Sequence, residues 1–235
     1  MSENPAFGAA VEDLSQAFER RTSLCRPFLR VLPVHGAAVS TLGAPFGSET
    51  ICASDDTAAR LDELQFDLGE GPCWDAMATR RPVLHSDFRH DDAGVWPIFT
   101  RAVHEDPRGG DVHAIYAFPL FVGSLDIGAV DLYSTTSTPL QSHEVADASE
   151  LASVAAWQVL RRILSDTATD DAAGPGTYNR REVHQATGMV LAQLDITAEE
   201  AALLLRAHAF SSGRSVAEVA NDVVERRLNF AADSS

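Results

Sequence analysis

One stretch, DTATDDAAGPGT at residues 166–177, constrains the architecture more than any other part of this 235-residue chain. Small and acidic residues dominate it. Gly174-Pro175-Gly176 cannot continue a helix, because proline lacks an amide proton and glycine is too free in its backbone. It reads as a linker, and the charge divides at the same place. Lysine is absent, so all 18 basic residues are arginine, set against 34 acids. Residues 1–177 carry 12 arginines and 26 acids, a balance of −14, whereas residues 178–230 carry 6 arginines and 7 acids, a balance of −1. That asymmetry points to two domains with different partners. The overall −16 argues against non-specific attraction to nucleic acid or to an anionic membrane.

Behind the linker the pattern is purely helical. Val183, Ala186, Val190 and Leu194 recur at helical spacing. Thr197-Ala198-Glu199-Glu200 and Ser215-Val216-Ala217-Glu218 are two capping boxes, each opening a further helix, and Gly213 is placed to end the helix between them. A small three-helix bundle follows. Ahead of the linker, Thr138-Pro139-Leu140-Gln141 has the pattern of a helix start, with Thr as cap and Pro at the first helical position. The helix is expected over 138–165. Val145, Ala152 and Val159 lie seven apart, as do Ala148 and Ala155, giving one narrow apolar stripe. Two readings fit that stripe: a short parallel coiled coil, or a helix lying on its own domain.

Residues 1–19 read as an N-terminal helical segment and 231–235 as a tail. Between 20 and 137 strands and helices interleave without a regular βαβ alternation. Strands are expected at 37–42, 50–53, 112–121 and 127–133, the last two joined as a hairpin around Val122-Gly123-Ser124. Helices are expected at 57–66 and 73–79, the second opened by the turn Leu68-Gly69-Glu70-Gly71-Pro72. This is an α+β domain, a mostly antiparallel sheet with flanking helices. No apolar run reaches the ~18–20 residues of a membrane span, and the N-terminus lacks the basic start and apolar stretch of a signal peptide. A cytoplasmic protein is the expectation. Three cysteines (Cys25, Cys52 and Cys73), odd in number and in no recognisable framework, match a reducing compartment.

Catalytic signatures are missing: there is no phosphate-cradling glycine loop, no GxSxG elbow and no HExxH pair, so an enzyme is not expected. Cys73 stands at a helix start behind Gly71-Pro72, flanked by Glu70 and Asp75, and reads as a buried, unreactive thiol lining a pocket. Trp74, Trp96, Phe99 and Tyr116 are the aromatic residues expected around it, with Trp96-Pro97-Ile98-Phe99 as core packing or a lid. His85, Asp87 and His90 lack a second ligand cluster, so no metal site is expected and they read as solvent-facing. In the second domain, Arg181, His184, Gln185 and Gly188 fall on one helical face or its edge. A glycine inside a helix costs about 0.5–1 kcal/mol relative to alanine. Gly188 therefore implies close approach of another backbone, a neighbouring helix or a nucleic acid. Arg206, His208 and Arg214 add positive or hydrogen-bonding groups, and arginine suits RNA through forked hydrogen bonds and stacking.

REVHQATGMV, EEAALLLRAHA and VAEVANDVV together resemble the ANTAR domain, a three-helix RNA-binding module of bacterial transcription antitermination regulators. The resemblance covers about residues 178–230, with Arg181, Val183, Gln185, Ala186, Gly188, Glu200, Ala201, Leu205, Arg206, Ala209, Glu218, Val219 and Ala220 matching in order and spacing. LQFDLGEGPCWDAMATRRPVLHSDF, with WPIF and GAVDLY, resembles a GAF domain over about residues 20–165. The lysine-free, arginine- and alanine-rich composition suits a high-GC bacterium. The resemblance implies a GAF sensor for an unknown small molecule or a signalling protein partner, no identified cofactor, and a homodimer. It further implies that the ANTAR domain holds paired stem-loops of a nascent transcript. Arg181, His184, Gln185, Arg206 and Arg214 would then contact RNA, with Ala186 and Gly188 shaping the surface. The family usually carries a lysine where Thr187 stands and an aromatic residue where Ala202 stands. The alternative is a dimeric ligand-binding or protein-interaction module whose bundle no longer binds RNA.

Overall fold

The computed structural model describes residues 5–43, 45–90, 94–109, 111–168, 177–212 and 214–231. The chain forms two compact units, Met1–Ala172 and Ala173–Ser235.

The first unit begins with three helices, α1 (Pro5–Ser15), α2 (Ala17–Arg20) and α3 (Arg26–Val31). Strands β1 (Gly36–Thr41) and β2 (Glu49–Ala53) follow, then α4 (Asp56–Leu68), α5 (Pro72–Thr79), β3 (Val83–His85) and α6 (Pro97–Glu105). The hairpin β4 (Ala114–Val122) and β5 (Leu125–Ser134) leads to the long α7 (Ser142–Ala168). The strands form one five-stranded antiparallel sheet in the order β2-β1-β5-β4-β3. Alternation along the strands sends side chains to two faces. Val39, Tyr116, Phe118, Val130 and Leu132 pack with Leu14, Phe28, Leu151 and Val159, residues of α1, α3 and α7. The opposite face receives α4, α5 and α6: Ile115 joins Leu61, Leu64, Phe88 and Phe99, while Ala129 joins Leu42 and Cys73.

Two expectations are corrected here, and one open alternative narrows. The long helix starts at Ser142, not Thr138. Its first turn is capped from within, the Gln141 amide donating to Glu144 Oε2 at 2.6 Å. Of the two readings of its apolar stripe, the helix on its own domain fits, since Ala148, Ala152, Ala155 and Val159 are buried in the unit's own core. Cys25 and Cys52 are not free thiols but a disulfide, with Cα atoms 6.4 Å apart across 27 residues of sequence. Cys73 alone is free, and it is buried. Spacing could not reveal the pair, because it depends on β2 lying beside the turn into α3.

The second unit is a three-helix bundle of α8 (Thr177–Leu194), α9 (Ala198–Ser212) and α10 (Val216–Val224). Ala186, Val190, Ala201, Leu205, Ala209, Val219, Ala220 and Val223 form its core. Both capping boxes are made. Thr197 Oγ1 accepts from the Glu200 amide at 3.2 Å while Glu200 Oε2 accepts from the Thr197 amide at 2.8 Å. Ser215 and Glu218 repeat the arrangement at the start of α10. Gly213 and most of the expected linker, 169–176, lie outside the described residues.

Candidate functional site

The GEGPCWD turn assembles the helical side of the sheet. Gly71 has φ +140°, and an added Cβ would lie 2.6 Å from Gln65 Cγ and Oε1, so only glycine fits. Gln65 Oε1 then accepts from the Cys73 amide at 2.9 Å, and the Trp74 indole N–H donates to the Gln65 carbonyl at 2.8 Å. Glu70 reaches over to α6, where its Oε1 accepts from the Ile98 and Phe99 amides at 2.9 and 3.2 Å. That carboxylate satisfies amides left open at the first turn of a helix that begins with proline. Asp75 completes the clasp by accepting from the Trp96 indole at 2.9 Å.

Beneath this clasp lies a pair of fully buried carboxyls, Asp62 on α4 and Asp131 on β5. The Ser40 hydroxyl donates to Asp62 Oδ2, and Thr50 Oγ1 donates to the same oxygen at 3.0 Å. The two carboxyls interact with each other, and Gln65 interacts with Asp131. Burial pushes Asp62 up to about 6, the hydroxyl bonds opposing it. Burial, then the charge of Asp62, pushes Asp131 well above the carboxylate range. Burial therefore favours the protonated form of both acids. Burial and these two acids push the Cys73 thiol up as well, so it stays protonated and unreactive at neutral pH.

In the second unit, α8 presents Gln185 and Gly188 to solvent. Nothing described lies within 4 Å of where a Gly188 Cβ would stand. Neighbouring-helix packing therefore does not explain this glycine. Ala186 is a correction: it is fully buried in the core and shapes no surface. Arg206 is half-buried and donates from Nε to the Ala202 carbonyl at 3.3 Å. Arg214 pairs with Asp222 at 2.7 Å and donates to the Glu218 carbonyl at 3.2 Å. Arg227 bonds the same Asp222 at 2.6 Å. The Thr187 hydroxyl donates to the Val183 carbonyl at 2.7 Å. The side chains of Arg181 and His184 lie outside the described residues.

The GAF domain family matches residues 23–160, more than half of the chain. This chain belongs to the GAF domain family. Its C-terminal unit matches the ANTAR domain over residues 178–224. The two together make a regulator in which a sensory GAF domain precedes an RNA-binding antitermination domain. The GAF domain of a phosphoenolpyruvate-protein phosphotransferase from Coxiella burnetii is similar in fold at 14% identity and TM-score 0.50, covering 71% of this chain and 99% of that one. The corresponding GAF domain from Acinetobacter is 9% identical with TM-score 0.49, covering 70% and 97%. No curated protein matches the sequence.

The structure places the GAF residues singled out from sequence in three core clusters, with Tyr116 apart from the other four. Cys73 and Trp74 pack with Leu42 and Ala129, Trp96 and Phe99 with Phe88 and Val103, and Tyr116 sits on the far face of the sheet with its hydroxyl on the Thr138 carbonyl at 2.7 Å. A shallow groove of about 420 Å³ lies elsewhere, on α1 and α7, lined by Ser15, Glu150, Ser153, Val154, Trp157 and Gln158. His85 is half-buried with its ring edge-on to Phe88 and Trp96, so it does not simply face solvent. Asp87 and His90 do, paired at 2.7 Å. Among the described residues no group of three or more His, Cys, Asp or Glu is arranged to hold a metal, and no helix is long and apolar enough to cross a membrane. The Asp62–Asp131 pair escaped the sequence reading. Its only signal was an acid inside an otherwise apolar strand, GAVDLY.

Proposed function

We propose that this chain binds paired RNA stem-loops in nascent transcripts through its ANTAR domain and so keeps an overlapping terminator from forming. Gly188 carries the reading. A helix-interior glycine that lowers stability, yet has open space at its Cβ position, fits a surface kept clear for close approach of another molecule. Gln185 beside it supplies hydrogen-bonding groups, and Arg206 and Arg181 supply charge for phosphates and unpaired bases. The GAF domain serves as the input.

The RNA-bound form is a dimer, which raises the effective concentration of one ANTAR domain at the second hairpin once its twin holds the first. The outer face of α7 supports this, because Trp157, which lines the α1–α7 groove, and Leu164 further along the helix are 56% and 60% exposed. Transcription in vitro through a leader with two hairpins ahead of a terminator tests the proposal. Read-through should rise with the protein and fall back with Arg206→Ala. Unchanged read-through would contradict it.

One observation favours the second reading, an interaction module without RNA. Arg214 and Arg227 both pair with Asp222, and Arg227 also with Glu225, so their two charges are already balanced within the bundle. Asp222→Asn separates the two. It should strengthen RNA binding if those arginines are merely held back, and leave it absent if the bundle has another partner.

A further inference from the structure

The strand β2 joins two features that the regulator reading leaves unused. It is an edge strand, paired only with β1, and all five of its residues are half-buried. Pairing with β1 skips a residue, since Val39 faces Cys52 and Ser40 faces Thr50, leaving Ile51 as a bulge. Without the bulge, Thr50 and Cys52 would point to one side of the sheet. With it, Cys52 turns toward the α3 and α7 layer, where it is bonded to Cys25, while Thr50 turns the other way and donates to Asp62. The same short strand thus holds a covalent link on one face and a hydrogen bond to the buried acid pair on the other.

We propose that Cys25 and Cys52 are a redox-sensing site, a reversible disulfide whose reduction frees β2 and so reports to the acid pair. The inference rests on the reading of the GAF domain as the input, and it names that input. Accessibility sets the order of attack. Cys25 is fully buried, whereas Cys52 is partly exposed, so reagents meet the Cys52 sulfur first. In oxidation by a peroxide, the Cys52 thiolate attacks one peroxide oxygen and the O–O bond breaks, giving a sulfenic acid and a hydroxide that takes up a solvent proton as water. The Cys25 thiol then attacks that sulfur, the S–O bond breaks and a second water leaves. In reduction by a dithiol, one thiolate attacks Cys52 Sγ and Cys25 departs as a thiolate that takes up a proton. The second thiol of the reductant closes its own disulfide and releases Cys52. Cys73, buried and held protonated, stays out of both sequences.

The test treats the full chain with hydrogen peroxide or with dithiothreitol under native conditions. Thiols are then counted by maleimide labelling after unfolding, and amide exchange is followed in parallel. Peroxide-treated protein should label once, at Cys73, and reduced protein three times. Reduction should speed amide exchange at Thr50, Ile51 and Cys52 by roughly tenfold or more. It should also lower Tm by about 5–10 °C, as loss of a crosslink does. Both differences should vanish in a Cys25→Ser, Cys52→Ser double variant. Three labels after peroxide would overturn the proposal, as would a bond that dithiothreitol cannot reach without unfolding, or β2 exchange that ignores the redox state. None of these readouts needs RNA, so a failure here leaves the RNA reading standing, and a failure to bind RNA leaves this one.

Discussion

The two units treat polarity in opposite ways. The GAF domain buries Ser40, Asp62, Gln65 and Asp131 within its core, two carboxyls side by side among them. The described core of the ANTAR bundle is entirely apolar and built from alanine, valine and leucine, its hydrogen-bonding residues spent on caps and surface pairs. A core that holds coupled ionisable groups sits close to a change of state, because its proton count and its packing are linked. A small apolar core has one arrangement and serves to hold a surface still. The difference separates a part built to respond from a part built to present.

Leu205→Ala should have the largest effect. Truncating a fully buried leucine costs about 2–5 kcal/mol, a large share of what so small a bundle holds. Proteolysis should then spread through 177–231 while Met1–Ala172 stays protected. Simultaneous loss in both units would break the comparison. Next comes Asp62→Ala, which leaves the Ser40 and Thr50 hydroxyls without their acceptor and should destabilise the GAF domain by about 2–3 kcal/mol in urea unfolding.

Asp131→Asn should act the other way. Because folding raises the pKa of this acid, the native state holds more protons, and stability is lost as pH climbs past the ordinary aspartate value toward the raised one. The variant keeps the shape without the proton linkage. It should be more stable than the parent by about 1–2 kcal/mol at pH 8, with the gain shrinking toward pH 5. A gain that grows on acidification would refute the assigned direction. The smallest effect is Ser215→Ala, about 1 kcal/mol from loss of the α10 cap, measured on the bundle's own transition.

Local signals were legible where local physics decides. The capping boxes, the hairpin around Gly123 and the helical periodicity of α8 to α10 depend on near neighbours, and the structure has them. Long-range pairings were not. Nothing near Cys25 announces Cys52, because their meeting depends on sheet order. The stripe on α7 left two partners open, and only the sheet face under Ala148 and Ala155 decides between them. Helix α6 went unread for a related reason: its start is stabilised by Glu70, 28 residues earlier, rather than by a cap of its own. Tyr116 and Phe99 are alike in residue type, and residue type carries no record of which face of the sheet each one meets.

The most direct test of the account is a titration of the full chain against a two-hairpin RNA and a single-hairpin control over a salt series. Paired hairpins should bind at least about tenfold tighter than one, and log affinity should fall against log salt with a slope of about −2 or steeper. Equal affinity for both RNAs, or binding indifferent to salt, would contradict it.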